Sequence, residues 1–416
     1  MKEALSRGRF VAGTAGVAAV AFGGGAPYVI AAPTKEIVIG LNLPQSGPYS
    51  EQGQDQLKAY NLAIEEVNAK GGIMGMKVRS TVGDDQTKAD VARDNAQRMI
   101  ERDGAVMITG GSSTGTALAV SALCESKHTI FMATLTHGDE TTNQNCHKVT
   151  FRRYNDAYMS AQSMAKTLLS KYGTGKWFHI TADYAWGHSV YDNLTKVVEP
   201  KGAKTVKNVL LKLGTTDFSS ALAEAQAAKP DVLVITEFGK DMVNCVNQSA
   251  QFGLTKSTKI LVPLVDEYMA KGAGENFDNV VSTAPFYWKY HASKYPGAAA
   301  FVKAFQAKYG VPPSNGAECA YADIMVYKKA VEAAGSTDAA KVAAKLEGMK
   351  FQFTKEEEWY RPEDHQGVNS CLVVEGIPTK ERGPGGFEYA KVLEVHAGPS
   401  CVQPVSELSC KMDPTV

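Results

Sequence analysis

This 416-residue sequence predicts an α/β fold in which two Rossmann-like lobes, each with a parallel central sheet, follow one another. Three observations carry that expectation. From about residue 36, short apolar runs alternate with amphipathic ones, and the alternation starts afresh after about residue 155. Three helical patterns then come in a row, at about 297 to 309, 317 to 334 and 338 to 348. Those late helices have no strands between them and must return to cover a sheet already made.

The elements justify this in order. EIVIGLNL (36 to 43) is continuously apolar, as a strand buried on both faces is. QDQLKAYNLAIEEVNAKGG (54 to 72) places Leu57, Leu62, Ile64 and Val67 on a helix face and stops at Gly71. KVRSTVGDD, AVMITG, TIFMAT and KVTFRR read as strands, with ADVARDNAQRMIER and TALAVSALCESK as the helices between. In the second half SAQSMAKTLLSKYG, SVYDNLTKVVEPKG, FSSALAEAQAAKPD and MVNCVNQSAQFG read as helices. KWFHIT, TVKNVLLK, DVLVITEF, KILVPL and NVVSTAPF read as strands, and a tail with weak strands, Pro and Gly follows the late helices.

Composition limits the function classes. Lys plus Arg number 44 and Asp plus Glu number 44, with no basic stripe, which argues against nucleic acid as a partner. The first residues carry Lys2, Arg7 and Arg9, then a small, apolar stretch without charge runs to Ala31 and Ala32. That order describes a cleavable export signal over residues 1–32. A membrane anchor would need about 20 strongly apolar residues, and this stretch is rich in Gly and Ala and contains Pro27. SRGRFV resembles the twin-arginine export motif, with Gly8 interrupting the pair. No Cys lies near the cleavage point to take a lipid.

Export implies an oxidising compartment, so the seven cysteines are disulfide candidates first. The expected pairs are Cys124 with Cys146 and Cys401 with Cys410, each flanking a short segment, and at least one of Cys245, Cys319 and Cys371 stays free. A zinc set drawn from Cys124, His128, His137, Cys146 and His147 lacks a tight CxxC or HxxxH core.

In open α/β sheets, ligands bind beyond the carboxyl ends of the strands. The turns to inspect are therefore PQSGPYSEQG, TGGSSTGT, TLTHGDETT, ADYAWGHS, TEFGKDM and PLVDEY. Gly111 to Gly115 fits GxSxG with Ser113 as a hydrolase nucleophile, in the strand-turn-helix context that motif needs. Read as a phosphate loop, the same turn has Thr116 where Lys is required. Read as a binding turn, its hydroxyls and helix amides grip a carboxylate, and this reading is preferred because no later Asp or His stands out as a triad partner. In LTHGDETT, adjacent Asp139 and Glu140 would point apart, which disfavours acid/base work. Tyr49, Trp186, Phe238 and Tyr268 each fall in a different turn, as the aromatic lining of one site would.

The stretch from Ile37 to Thr114, with SGPY, the EEVNAKGGIMG run and Asp84-Asp85, is similar to periplasmic solute-binding proteins of the branched-chain amino acid and amide type. YAWGHS, GTTDFSSAL, QFGL, KYGVPPS and PEDHQG extend the resemblance over roughly residues 36 to 370. It implies a type I periplasmic binding fold whose two lobes, joined by three hinge crossovers near 155, 285 and 352, close on a solute. Lobe 1 would be 33–155 plus 286–352, and lobe 2 would be 156–285 plus 353–416. It also implies a non-enzymatic protein without cofactor that docks on an ABC permease in the inner membrane.

Carried over by position, Ser113, with Thr114 beside it, would hold the solute carboxylate, and Leu135, Thr136 and His137 would supply loop contacts. Trp186, Phe238 and Gln52 stand where the amino-acid binders have Tyr, with Tyr49 nearby. Asp266 falls near the acid that neutralises an ammonium. Replacing phenols by indole and phenyl removes acceptors and adds flat apolar area. The expected solute is therefore an aromatic carboxylate, of hydroxybenzoate or phenylpropenoate type, with a branched-chain amino acid or amide as the alternative.

Overall fold

A computed structural model describes residues 36–172 and 175–412; the expected export signal lies outside them. The first sheet contains β1 (Ile37–Leu43), β2 (Val78–Asp84), β3 (Ala105–Gly110), β4 (Ile130–Ala133) and β5 (Thr150–Arg152), in the order β2-β1-β3-β4-β5 and parallel throughout. Every residue of β1 is buried, as its unbroken apolar run requires of a central parallel strand. The helices α1 (Ser50–Ala69), α2 (Ala89–Glu101) and α3 (Thr114–Ser126) connect these strands.

The second sheet begins after α4 (Ala157–Tyr172) with β6 (Lys176–Ala182), β7 (Lys204–Leu211), β8 (Val232–Thr236), β9 (Lys259–Val262) and β10 (Val281–Ala284). Between them run α5 (Ala185–Val198), α6 (Ser219–Ala228), α7 (Gly239–Gln251), the single turn α8 (Leu254–Ser257) and α9 (Glu267–Ala273). These strands are parallel in the order β10-β9-β8-β6-β7.

The late helices are α10 (Trp288–Lys294), α11 (Pro296–Tyr309), α12 (Asn315–Ala334) and α13 (Ala339–Leu346). Phe301, Phe305, Ile324, Tyr327 and Leu346 share one apolar core with Ile39, Leu41 and Phe131 of the first sheet, so the late helices do return to it. The segment from residue 353 was expected to open the last part of the second lobe, yet residues 350–368 hold together on the first side. They form a small sheet of β11 (Lys350–Phe351), β12 (Glu358–Tyr360) and β13 (Gly367–Val368). Its Phe351 and Tyr360 are buried in the first lobe's core, and Gln366 bridges to Arg152 at the end of β5. The third passage between lobes thus falls at 369–370, later than the sequence position near 352, because these aromatics bury on the first side before the chain leaves it. The other passages lie at 153–156 and 285–287. Beyond, β14 (Cys371–Gly376) and β15 (Ala390–His396) extend the second sheet as antiparallel strands and α14 (Gly398–Cys401) ends in the tail.

A buried ion cluster anchors the first passage. Arg153 donates to both oxygens of Glu318 on α12 at 2.9 and 2.7 Å and to Glu358 of β12 at 2.6 and 3.0 Å, with Lys355 3.3 Å from Glu358.

The expected disulfides are corrected. Cys146 pairs with Cys410, while Cys124, Cys245, Cys319, Cys371 and Cys401 are buried thiols. Cys124 faces the first lobe's core from α3, and Cys401 packs with Met159 and Cys371, so neither can turn to its sequence neighbour. The tail beyond Cys401 instead reaches the loop before β5, where Ser409 N–H donates to Asn143 Oδ1 at 2.6 Å and Asn143 donates to Gln403 at 3.1 Å. With Cys146 in this bond and His137 in the cleft, the zinc set is dispersed; among the described residues no group is placed to hold a metal. Cys410→Ser and Cys146→Ser should each lower stability in urea by about 2–4 kcal/mol, and the double variant by no more than either alone. A loss that instead followed Cys124→Ser would place the bond elsewhere.

Candidate binding cleft

The turns at the carboxyl ends of both sheets meet at one place. Ser112 and Thr114 from the β3–α3 turn, Leu135 and His137 after β4, Tyr184 and Trp186 at the β6–α5 turn, Phe238 before α7 and Leu264 after β9 line a single cavity. Its volume is about 10 Å³, room for roughly one water. A larger hollow of about 320 Å³ lies between α1 and α12, lined by Glu66, Lys70, Lys328, Lys329 and Phe353. None of the strand-end turns reaches it, so size alone does not mark the site.

Helix starts set the aromatic wall. α5 begins at Ala185, a turn earlier than the sequence pattern suggests, and this draws Trp186 into its first turn. A Cβ on Gly187 would lie 1.9 Å from the carbonyl oxygen of Ala182, so glycine lets this turn sit against the end of β6. Trp186 is 2% exposed and its ring meets Phe238 edge-on at 6.2 Å and His137 at 6.2 Å. Its Nε1–H has no hydrogen-bond partner in this closed arrangement. Phe238 meets Tyr49 of the first lobe edge-on at 5.1 Å, so a ring from the first lobe backs the wall without lining the cavity.

The polar groups are fewer. His137 Nε2 lies 2.9 Å from Ser160 Oγ, and burial, with Arg152 nearby, lowers its pKa to about 3, leaving it neutral. Thr114 Oγ accepts from Gly138 N–H at 3.1 Å, and Ser112 Oγ accepts from Gln56 at 3.1 Å. Thr136 is buried with its hydroxyl unpartnered and does not line the cavity.

Ser113 is placed differently from the expectation. Its Oγ caps α3, 3.3 Å from Thr116 N and 3.1 Å from Thr116 Oγ, and Ser113 N–H donates to Thr116 Oγ at 3.2 Å. The cavity is lined by the residues on either side of it, Ser112 and Thr114. Among the described residues, no histidine is a hydrogen-bond partner of Ser113, and His137 bonds Ser160 instead.

Tyr49, Gln52 and Asp266 are brought together at the lobe junction without lining the cavity. Tyr49 and Tyr184 join hydroxyls across it at 2.9 Å. Gln52 Nε2 donates to Asp266 Oδ2 at 2.9 Å, while Asp266 Oδ1 accepts from Met269 N–H at 2.8 Å. The sequence reading missed Tyr184, Ser112 and Leu264. A signal was present for Ser112, since the Ser113-x-x-Thr116 spacing reads as a capping box that commits the second serine.

The Periplasmic binding protein family model matches residues 36–381. Leu/Ile/Val-binding protein homolog 7 of Brucella abortus (strain 2308) is 26% identical over 339 residues, 78% of this chain and 84% of that protein. The crystal structure of a periplasmic binding protein from Burkholderia mallei has a TM-score of 0.84 at 28% identity, covering 90% of this chain and 98% of that one. A solute binding protein of an ABC transporter from Rhodopseudomonas palustris BisB5, solved with 3,4-dihydroxy benzoic acid, has a TM-score of 0.79 at 21% identity, covering 87% and 98%, and so shares the fold. With the family model matching from the first strand to beyond the last parallel one, and the fold shared with these solved structures, this chain belongs to the periplasmic binding protein family.

Proposed function

We propose that this protein captures a small aromatic carboxylate between its lobes by hinge closure and delivers it to an ABC permease. The observation that carries this reading is the cavity wall: Trp186, Phe238 and Tyr184 supply flat apolar area beside Leu135 and Leu264, and among the described residues no carboxylate lines it. A buried ammonium would need an acceptor there, since an unpaired charge is very costly. Asp266, the expected acid, is already engaged by Gln52 and Met269 N–H. A solute carboxylate, in contrast, has hydroxyls at Ser112 and Thr114 and the free amides at the start of α3.

One observation favours a branched-chain amino acid instead. Glu237 is buried beside Phe238 with neither oxygen hydrogen-bonded, and it acts electrostatically on Tyr49 and Tyr184. Burial and Asp241 raise it to about 9, so it is neutral at pH 7 and poorly prepared for an ammonium.

A thermal-shift panel separates the readings. Benzoate, 4-hydroxybenzoate and cinnamate should raise the melting temperature, with stabilisation near 2.7 kcal/mol at about 100 times the dissociation constant, and Glu237→Gln should keep that response. Shifts with leucine, isoleucine or valine that vanish in Glu237→Gln, with none from the aromatic acids, would reverse the assignment.

A further inference from the structure

The seam where α1 of the first lobe meets α9 of the second holds three buried carboxyls. Asp55, on α1, accepts from Tyr268 O–H of α9 at 2.7 Å and from Ser314 N–H at 3.1 Å. Asp266 accepts across the seam from Gln52, and Glu267, fully buried next to it, has no hydrogen-bond partner on either oxygen. The uncharged groups facing these acids are Tyr268, Tyr309 of α11, Tyr154 and Tyr287 of the passages, Tyr389 before β15, and the amide of Asn315 at the start of α12. Lys58 Nζ stands 3.8 Å from Asp55 with its side chain 36% exposed, and Arg382 faces Tyr287 while pairing with Asp278.

Asp55 rides on one lobe and Asp266 and Glu267 on the other, so parting the lobes separates and hydrates them, and closing them brings like charges together out of water. We propose that closure takes up a proton at this seam, so that the closed form gains as the pH falls. This rests on the hinge-closure part of the reading above and not on the identity of the solute.

Burial raises all three acids in the closed form, Asp266 to about 6. A pKa raised on closing gives a contribution that is complete below the open-state value, near 4 for an ordinary carboxyl, and is lost as the pH rises through the closed-state value. For Asp266 the window is therefore about 4 to 6, and Glu267 extends it upward. One proton corresponds to about tenfold in the closing equilibrium per pH unit within that window.

Small-angle X-ray scattering of the full chain, without added solute, at pH 5 and pH 8 tests this. The radius of gyration should be smaller at pH 5 in the wild type, and the difference should disappear in Glu267→Gln with Asp266→Asn, a pair that retains the helix cap and side-chain shape. Circular dichroism melts confirm that the variant is folded, and Asp55→Asn provides a second probe that should shrink the same difference. Equal radii at both pH values in the wild type, or an undiminished difference in both variants, would overturn the proposal. Because no solute is used, failure of the aromatic-acid panel leaves this result standing, and equal radii leave the solute class untouched.

Discussion

Trp186→Ala should weaken capture of the aromatic acid that gives the largest thermal shift by about 30- to 1000-fold, the 2–4 kcal/mol of a buried aromatic anchor. The ring closes the cavity from the second lobe and touches both Phe238 and His137, so removing it leaves a solute ring without a wall on that side. The same truncation opens a void in a residue that is 2% exposed and should cost stability as well, about 3–5 kcal/mol. Binding must therefore be titrated calorimetrically well below the variant's own midpoint. Trp186→Phe separates the two effects, since it keeps a flat ring at the wall and should retain most of the affinity. Unchanged affinity in Trp186→Ala would show that the solute does not lie against this ring.

Arg153→Met should destabilise the protein by about 3–5 kcal/mol, read as a lower urea midpoint, because it strands two buried carboxylates that the guanidinium now satisfies. Burial alone would raise Glu318, but Arg153 and Lys355 outweigh it and hold its pKa to about 2. A depressed carboxyl contributes stability that is present above its ordinary pKa and is lost as the pH falls through the folded value, so for Glu318 the loss runs from about 4.5 down to about 2. Without Arg153, burial raises these carboxyls, and a raised carboxyl costs stability as the pH rises, so the destabilisation of the variant should be largest near neutral pH and shrink toward acid. A stability difference that does not change with pH would mean that Lys355 alone carries the compensation.

The apolar patterns made the fold readable. β1 and β8 are unbroken runs buried on both faces, and the late helices carry enough apolar surface that only a return to the first sheet can hide it. Helix starts were harder to place, since α5 and α7 begin on Ala185 and Gly239, in turns whose polar and aromatic residues carry no helical period. That is why Tyr184, which immediately precedes α5, was legible only as part of a turn. Ser113 illustrates a different limit: sequence places a hydroxyl at a helix start, but whether it caps the helix or faces the cavity depends on a rotamer set by Thr116. The cysteines show the strongest case of tertiary control, because short separations suggested Cys124 with Cys146, whereas burial removed Cys124 and the tail delivered Cys410 from 264 positions away.

That clasp also orders events during biogenesis. Joining Cys146 to Cys410 encloses the second sheet and all the late helices in one covalent ring, which cannot close until position 410 has been synthesised and has met an oxidant. By then five other thiols must already have been withdrawn into the folded interior, or each becomes a competitor for Cys146. The ring therefore works as a completion mark: oxidation that comes after folding finds one correct pair, and oxidation that comes before it finds many wrong ones.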